Sequence, residues 1–96
     1  MNAKAKGTRA EHKTMRMLES FGYRCTRAAA SLGEWDIIAI GPRDVRLIQC
    51  KCSRWPGSVE MEKLEMFPCP AVVSKEVWRW NDYARAPLIK HLKGSE

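Results

Sequence analysis

"EWDIIAIGPRDVRLIQCKC", residues 34–52, holds two β-rich runs around the four residues Gly41-Pro42-Arg43-Asp44 and reads as a β-hairpin. With the turn centred between Pro42 and Arg43, Ile40 faces Val45, Ile38 faces Leu47 and Asp36 faces Gln49. Side chains alternate with period two, so Glu34, Asp36, Ile38 and Ile40 share a face with Val45, Leu47, Gln49 and Lys51. That face is apolar near the turn and carries carboxylate, amide and ammonium groups at its open end. The other face, with Trp35, Ile37, Ala39, Ile48, Cys50 and Cys52, is apolar and expected to be buried. Pro42, with φ fixed near −65°, fits a two-residue primed turn poorly. A slip of one residue, which would set Asp36 against Cys50, therefore stays open.

Upstream, residues 1–7 are small and basic and are expected to form a mobile tail. From Thr8 the pattern is helical, with Met15, Leu18 and Phe21 near one face, and Gly22 ends it. Stepping back four residues from Met15 reaches Glu11, an acid at the top of the apolar face. Thr8-x-x-Glu11 also fits a capping box, so both a functional and a capping role are open. "YRCTR" (23–27) alternates as a short strand, and "AAASLG" is a small-residue connection. Downstream, Ser58 can cap a helix over roughly 59–67, stopped by Pro68 and Pro70. "AVVSKEVWRWND" and "APLIKHL" read as two further strands. The expected fold class is α/β: a mixed central sheet flanked by helices, in the order α-β-β-β-α-β-β.

At 96 residues the chain is expected to form a single domain spanning residues 1–96. The net charge is +6, and residues 1–27 hold seven Lys/Arg against two Glu, a balance of 7 − 2 = +5. A clustered basic segment suits a partner with phosphates, nucleic acid or an anionic membrane face, or is a solvated surface. No apolar run approaches a transmembrane helix and the N-terminus lacks a signal-like apolar middle, so a cytoplasmic protein with no membrane role is expected. Cys25, Cys50, Cys52 and Cys69 lack zinc-site spacing and read as buried, inert thiols.

A half-buried Asp and Lys must pair or serve a charged ligand. Residue by residue, Asp36 or Glu34 with Lys51 can be a structural ion pair. The stripe of Val77, Trp78 and Trp80 can be core or a dimer interface.

Lys6-Gly7-x-x-x-Glu11 opening a helix, Gly33-x-x-Asp36 entering a hydrophobic strand and Gln49-x-Lys51 ending the next resemble the PD-(D/E)XK nuclease superfamily, nearest to the archaeal and phage Holliday junction resolvases. The likeness runs from about Lys6 to Phe67 and implies a restriction-endonuclease-like fold. It implies a metal-dependent endonuclease cutting structured DNA, with Glu11, Asp36, Gln49 and Lys51 as catalytic residues. Asp36 would be the central ligand of Mg²⁺, which Mn²⁺ can replace. Gln49, the Cys50 backbone carbonyl and Glu11 would complete the set, and Lys51 would polarise the attacking water. Lys4, Lys6, Arg9, Lys13, Arg24, Arg27, Ser31 and Arg54 would contact DNA, and paired nicks imply a homodimer. The family usually has a carboxylate where Gln49 stands, which makes Glu34 a candidate substitute ligand or the ion-pair partner of Lys51. The alternative is a nucleic-acid-binding module that keeps the fold without catalysis.

Overall fold

The computed structural model describes residues 3–28 and 33–92, with side chains from Lys6 onward. The observed elements are α1 (Ala3–Ser20), β1 (Arg24–Arg27), β2 (Ile37–Ile40), β3 (Val45–Cys52), α2 (Ser58–Met66), β4 (Val73–Trp80) and β5 (Leu88–Leu92). The order is the expected one. The strands form one sheet in chain order, antiparallel except where β4 runs parallel to β3 after the α2 crossover.

The hairpin register holds without a slip, with Ile40 opposite Val45 and Ile37 opposite Ile48. Its turn is closed by the Gly41 N–H donating to the Asp44 carbonyl at 2.8 Å. Tyr23 packs into this turn: its hydroxyl donates to Asp44 Oδ1 at 2.8 Å and its ring lies under the Arg46 guanidinium. Gly41 is needed there because a Cβ would stand 2.7 Å from Tyr23 Cε2.

Two helices cover the two faces. On one face Ala10 and Leu18 of α1 meet Ile37, Ala39, Ile48, Trp78 and Trp80; on the other Leu64 of α2 meets Leu47, Val77 and Trp35. Burying apolar area on both faces is the main stabilising term, at roughly 25 cal/mol per Å² removed from water. A buried polar knot ties the first layer. The Thr14 hydroxyl donates to the Ala10 carbonyl at 2.8 Å and accepts from Trp80 Nε1 at 2.8 Å and from the Cys50 thiol at 3.4 Å. The second layer has its own anchor. The Lys75 ammonium, 1% exposed, donates to the Glu65 carbonyl at 2.5 Å and the Phe67 carbonyl at 2.9 Å, where α2 ends. A cation there answers the orphan carbonyls and the negative end of the helix dipole.

Several expectations are corrected. α1 starts at Ala3 rather than Thr8, so residues 3–7 are helical and not a tail. Ala3, Lys4, Ala5 and Lys6 are strong helix formers, and one Gly costs only about 1 kcal/mol. Thr8 is therefore inside the helix and caps nothing. Phe21 lies beyond the helix end and is exposed. The buried row of α1 is Ala10, Thr14 and Leu18, spaced by four. Trp35 packs on the α2 face against Phe67 and not with Ile37, because it precedes the strand and escapes its alternation. α2 is capped by Gly57, with Ser58 as its first residue. Trp78 and Trp80 are buried under α1, so that stripe is core and not a dimer interface. Among the described residues, no helix is long and apolar enough to cross a membrane.

Candidate active site

The polar end of the hairpin forms where regular pairing of β2 stops. Beyond Ile37 the Asp36 N–H still reaches the Ile48 carbonyl at 2.9 Å, but the next β3 donor, the Cys50 N–H, goes to Asp36 Oδ2 at 2.9 Å. A side-chain carboxylate thus takes the place of a backbone acceptor. In an antiparallel ladder the N–H and C=O of one residue point to the same neighbouring strand. By that rule the Cys50 carbonyl leaves β3 on the same edge as its N–H, beyond the end of β2. The Asp36 carbonyl is also engaged, accepting from the Ala28 N–H at 2.8 Å, so the connection before β2 is pinned to the site.

Asp36 is half-buried, and burial holds its carboxyl above its ordinary value. Nearby Glu11 and Glu60 add to the rise, while the Cys50 N–H and Lys51 oppose it. The groups that act on Asp36 are thus contributed by α1, β3 and α2. Glu11 reaches this neighbourhood from α1, where its Oε1 accepts from Arg27 Nε at 2.8 Å.

Gln49 and Lys51 leave β3 on the α2 side. There Glu60, in the first turn of α2, accepts from Gln49 Nε2 through Oε2 at 3.2 Å and pairs with Lys51 Nζ through Oε1 at 3.3 Å. The Lys51 partner is therefore Glu60, and neither Asp36 nor Glu34. Glu34 precedes β2, is exposed, and is not carried to Lys51 by the strand register. Gln49 is 8% exposed, and among the described residues its acceptor Oε1 has no partner.

The residues expected at the site are brought together at one sheet end, with Glu60 as an addition the sequence did not mark. An acid in a first helical turn reads simply as favourable to the dipole, and only the α2 crossover carries it over β3. Among the described residues no three of His, Cys, Asp and Glu converge closely enough to hold a metal by themselves. The available donors are instead mixed oxygens: the Asp36 carboxylate, an amide oxygen with no donor, and a strand-edge carbonyl. An all-oxygen set with an unfilled acceptor fits a hard divalent cation. The four cysteines form no disulfide among the described residues and are partly rather than fully buried, and burial pushes the thiols of Cys25 and Cys50 up, away from the thiolate.

The basic residues divide. Lys6, Arg9 and Lys13 line a cleft of about 370 Å³ between α1 and the end of β4, floored by Trp80. Lys6 pairs with Asp82 at 3.0 Å, and Lys13 Nζ lies 5.3 Å from the Trp80 ring centre. Arg24 and Arg27 are exposed on the edge strand β1, and Arg54 is exposed just after β3. Trp55 is held in the second layer beneath Arg79 and Lys90. The Lys4 side chain and Ser31 lie outside the described residues.

Residues 2–67, 66 of the 96, match the profile of the archaeal Holliday junction resolvase (Hjc) family. Among solved structures, the chain is similar to Archaeoglobus fulgidus Hjc, described as a Holliday junction resolvase from an archaeal hyperthermophile. That match has a TM-score of 0.68 at 23% identity and covers 91% of this chain and 71% of that one. At that identity it speaks for the fold. A search of curated proteins returned no match.

Proposed function

The chain belongs to the archaeal Holliday junction resolvase family, a family of nucleases that resolve four-way DNA junctions, and from that membership we propose a divalent-cation-dependent deoxyribonuclease whose site is the end of the β2–β3 hairpin. One observation carries the reading. Asp36, the Gln49 amide with its unfilled acceptor, and Lys51 converge where β2 ends and β3 continues.

The chemistry assigns the roles. Hydrolysing a phosphodiester needs a positioned water and neutralisation of charge gathering on phosphorus-bound oxygens. Asp36, Gln49 Oε1 and the Cys50 carbonyl would hold the cation, Mg²⁺ or Mn²⁺, with Glu11 beside them. When bound, the cation supplies Lewis-acid stabilisation and a more acidic water. The Lys51 ammonium orients that water and meets the developing negative charge. The Cys50 N–H fixes one oxygen of Asp36, so the carboxylate is oriented before substrate arrives.

Lys6, Arg9 and Lys13 in the α1 cleft, Arg24 and Arg27 on β1, and Arg54 hold backbone phosphates without reading bases. Lys4 and Ser31 are assigned to the same role. Two symmetric nicks call for two copies of the chain, so the acting form is a homodimer, working inside the cell where DNA is. Its interface excludes the buried Trp78 and Trp80.

The test is cleavage of labelled four-way junction and linear duplex DNA with Mg²⁺, with Mn²⁺ and with EDTA. Paired junction nicks in either metal, absent in EDTA, are expected. Binding without cleavage in either metal would mark a module that keeps the fold and has lost the chemistry.

A further inference from the structure

Position 49 carries an amide where the family pattern usually has a carboxylate, and the missing charge stands on the residue that amide touches. Glu60 Oε2 accepts from Gln49 Nε2 at 3.2 Å while Oε1 meets Lys51 Nζ at 3.3 Å. Glu60 also adds to the rise of the Asp36 carboxyl, so its charge is felt at the centre of the site. A structural ion pair accounts for only part of this. The Lys51 and Glu60 side chains are 29% and 28% exposed, and their pairing satisfies those two charges alone. It also leaves unexplained why a buried amide gives its donor to Glu60 and leaves its acceptor, Oε1, without a partner among the described residues. A buried acceptor with no donor is costly in a folded chain, and a cation is a partner that needs acceptors only.

Resting on the reading of this hairpin end as a cation-dependent hydrolytic site, we propose that Glu60 supplies the carboxylate that position 49 lacks, joining Asp36 and Gln49 Oε1 as a cation ligand. Charge count supports the assignment. The Glu11 charge is answered by Arg27, so Asp36 with a neutral amide sets one uncompensated negative charge against a divalent ion, and Glu60 restores two. The Lys51–Glu60 ion pair keeps two opposite charges satisfied, and with a cation bound the carboxylate would turn to the ion and the ammonium to the substrate. α2 can present Glu60 in this way because buried Lys75 fixes the far end of the helix on the sheet.

The experiment is Mn²⁺ binding to the metal-free full chain by titration calorimetry, for wild type, Asp36→Asn, Glu60→Gln and the exchange Gln49→Glu/Glu60→Gln. Melting curves of each variant accompany it. Glu60→Gln is expected to weaken Mn²⁺ binding by about 10-fold or more. The exchange, which keeps the charge count and a carboxylate–amide contact, is expected to restore it. Wild-type affinity in Glu60→Gln, with binding abolished in Asp36→Asn, would overturn the role of Glu60 and leave the site reading standing. Weakened binding in Glu60→Gln that the exchange fails to recover would assign Glu60 a structural role and overturn the proposal too. Equal affinity in wild type and Asp36→Asn, or no uptake by wild type, would overturn the site reading itself.

Discussion

Asp36 sits where function and stability oppose each other. Its carboxyl is raised from an ordinary 3.8, chiefly by burial and then by the charges of Glu11 and Glu60. A carboxyl whose folded value exceeds its unfolded value binds its proton more tightly in the folded chain. Stability is therefore lost as pH rises from the unfolded value through the folded one, and the full cost is present above both. Asp36→Asn should consequently melt higher than wild type at neutral pH in EDTA, with the gap closing on acidification towards about pH 4. An unchanged or lower melting temperature at neutral pH would deny the burial cost. The same variant should lose cleavage by on the order of 10²–10³-fold or more. At this scale the sequence was informative: spacing alone brought Asp36, Gln49 and Lys51 to one strand end. It did not pair Asp36 with the Cys50 N–H, because a side chain replacing a ladder acceptor leaves no periodic trace.

The helices depend on single polar side chains whose partners are distant in sequence. Thr14 joins α1 to β3 and β4 by accepting from Trp80 and Cys50. Thr14→Val keeps the shape and removes the acceptor, and should cost about 1–3 kcal/mol in denaturant unfolding, with little change in m. Lys75→Met leaves the Glu65 and Phe67 carbonyls without their cation and should cost a similar ~1–3 kcal/mol. If α2 positions Glu60 as argued, Lys75→Met should also weaken Mn²⁺ binding. Element types and order were legible from apolar alternation and from the Gly and Pro stops. The start of α1, the side taken by Trp35 and the burial of Lys75 were not. The last two depend on what tertiary structure lays over a residue, since Phe67 meets Trp35 and the end of α2 covers Lys75, whereas the start of α1 follows the local propensity of Ala3–Lys6, which the Gly7 and Thr8 signals masked.

For the whole molecule, the net charge of +6 matters through its placement. Lys6, Arg9 and Lys13 share one cleft at the β4 side of α1, and Arg24 and Arg27 lie on the edge strand β1, which the same helix also contacts. Replacing Lys6, Arg9 and Lys13 by Ala should weaken junction binding and flatten its salt dependence, by about 0.9 in the log–log slope for each phosphate no longer neutralised. A slope unchanged in all three would remove the cleft from the DNA interface. The fold class and the basic surface were thus readable from sequence, whereas the Trp78–Trp80 stripe, read more readily as core than as interface, was decided only by α1 covering it. The proposed nuclease would cut junctions with the Asp36–Gln49–Lys51 strand end. The most direct measurement is four-way junction cleavage in Mg²⁺ beside junction binding, for wild type, Asp36→Ala and Lys51→Ala. Wild type is expected to give paired nicks and both variants reductions of on the order of 10²-fold or more, with binding retained. Junction cleavage that persists at wild-type rate in either variant would contradict it.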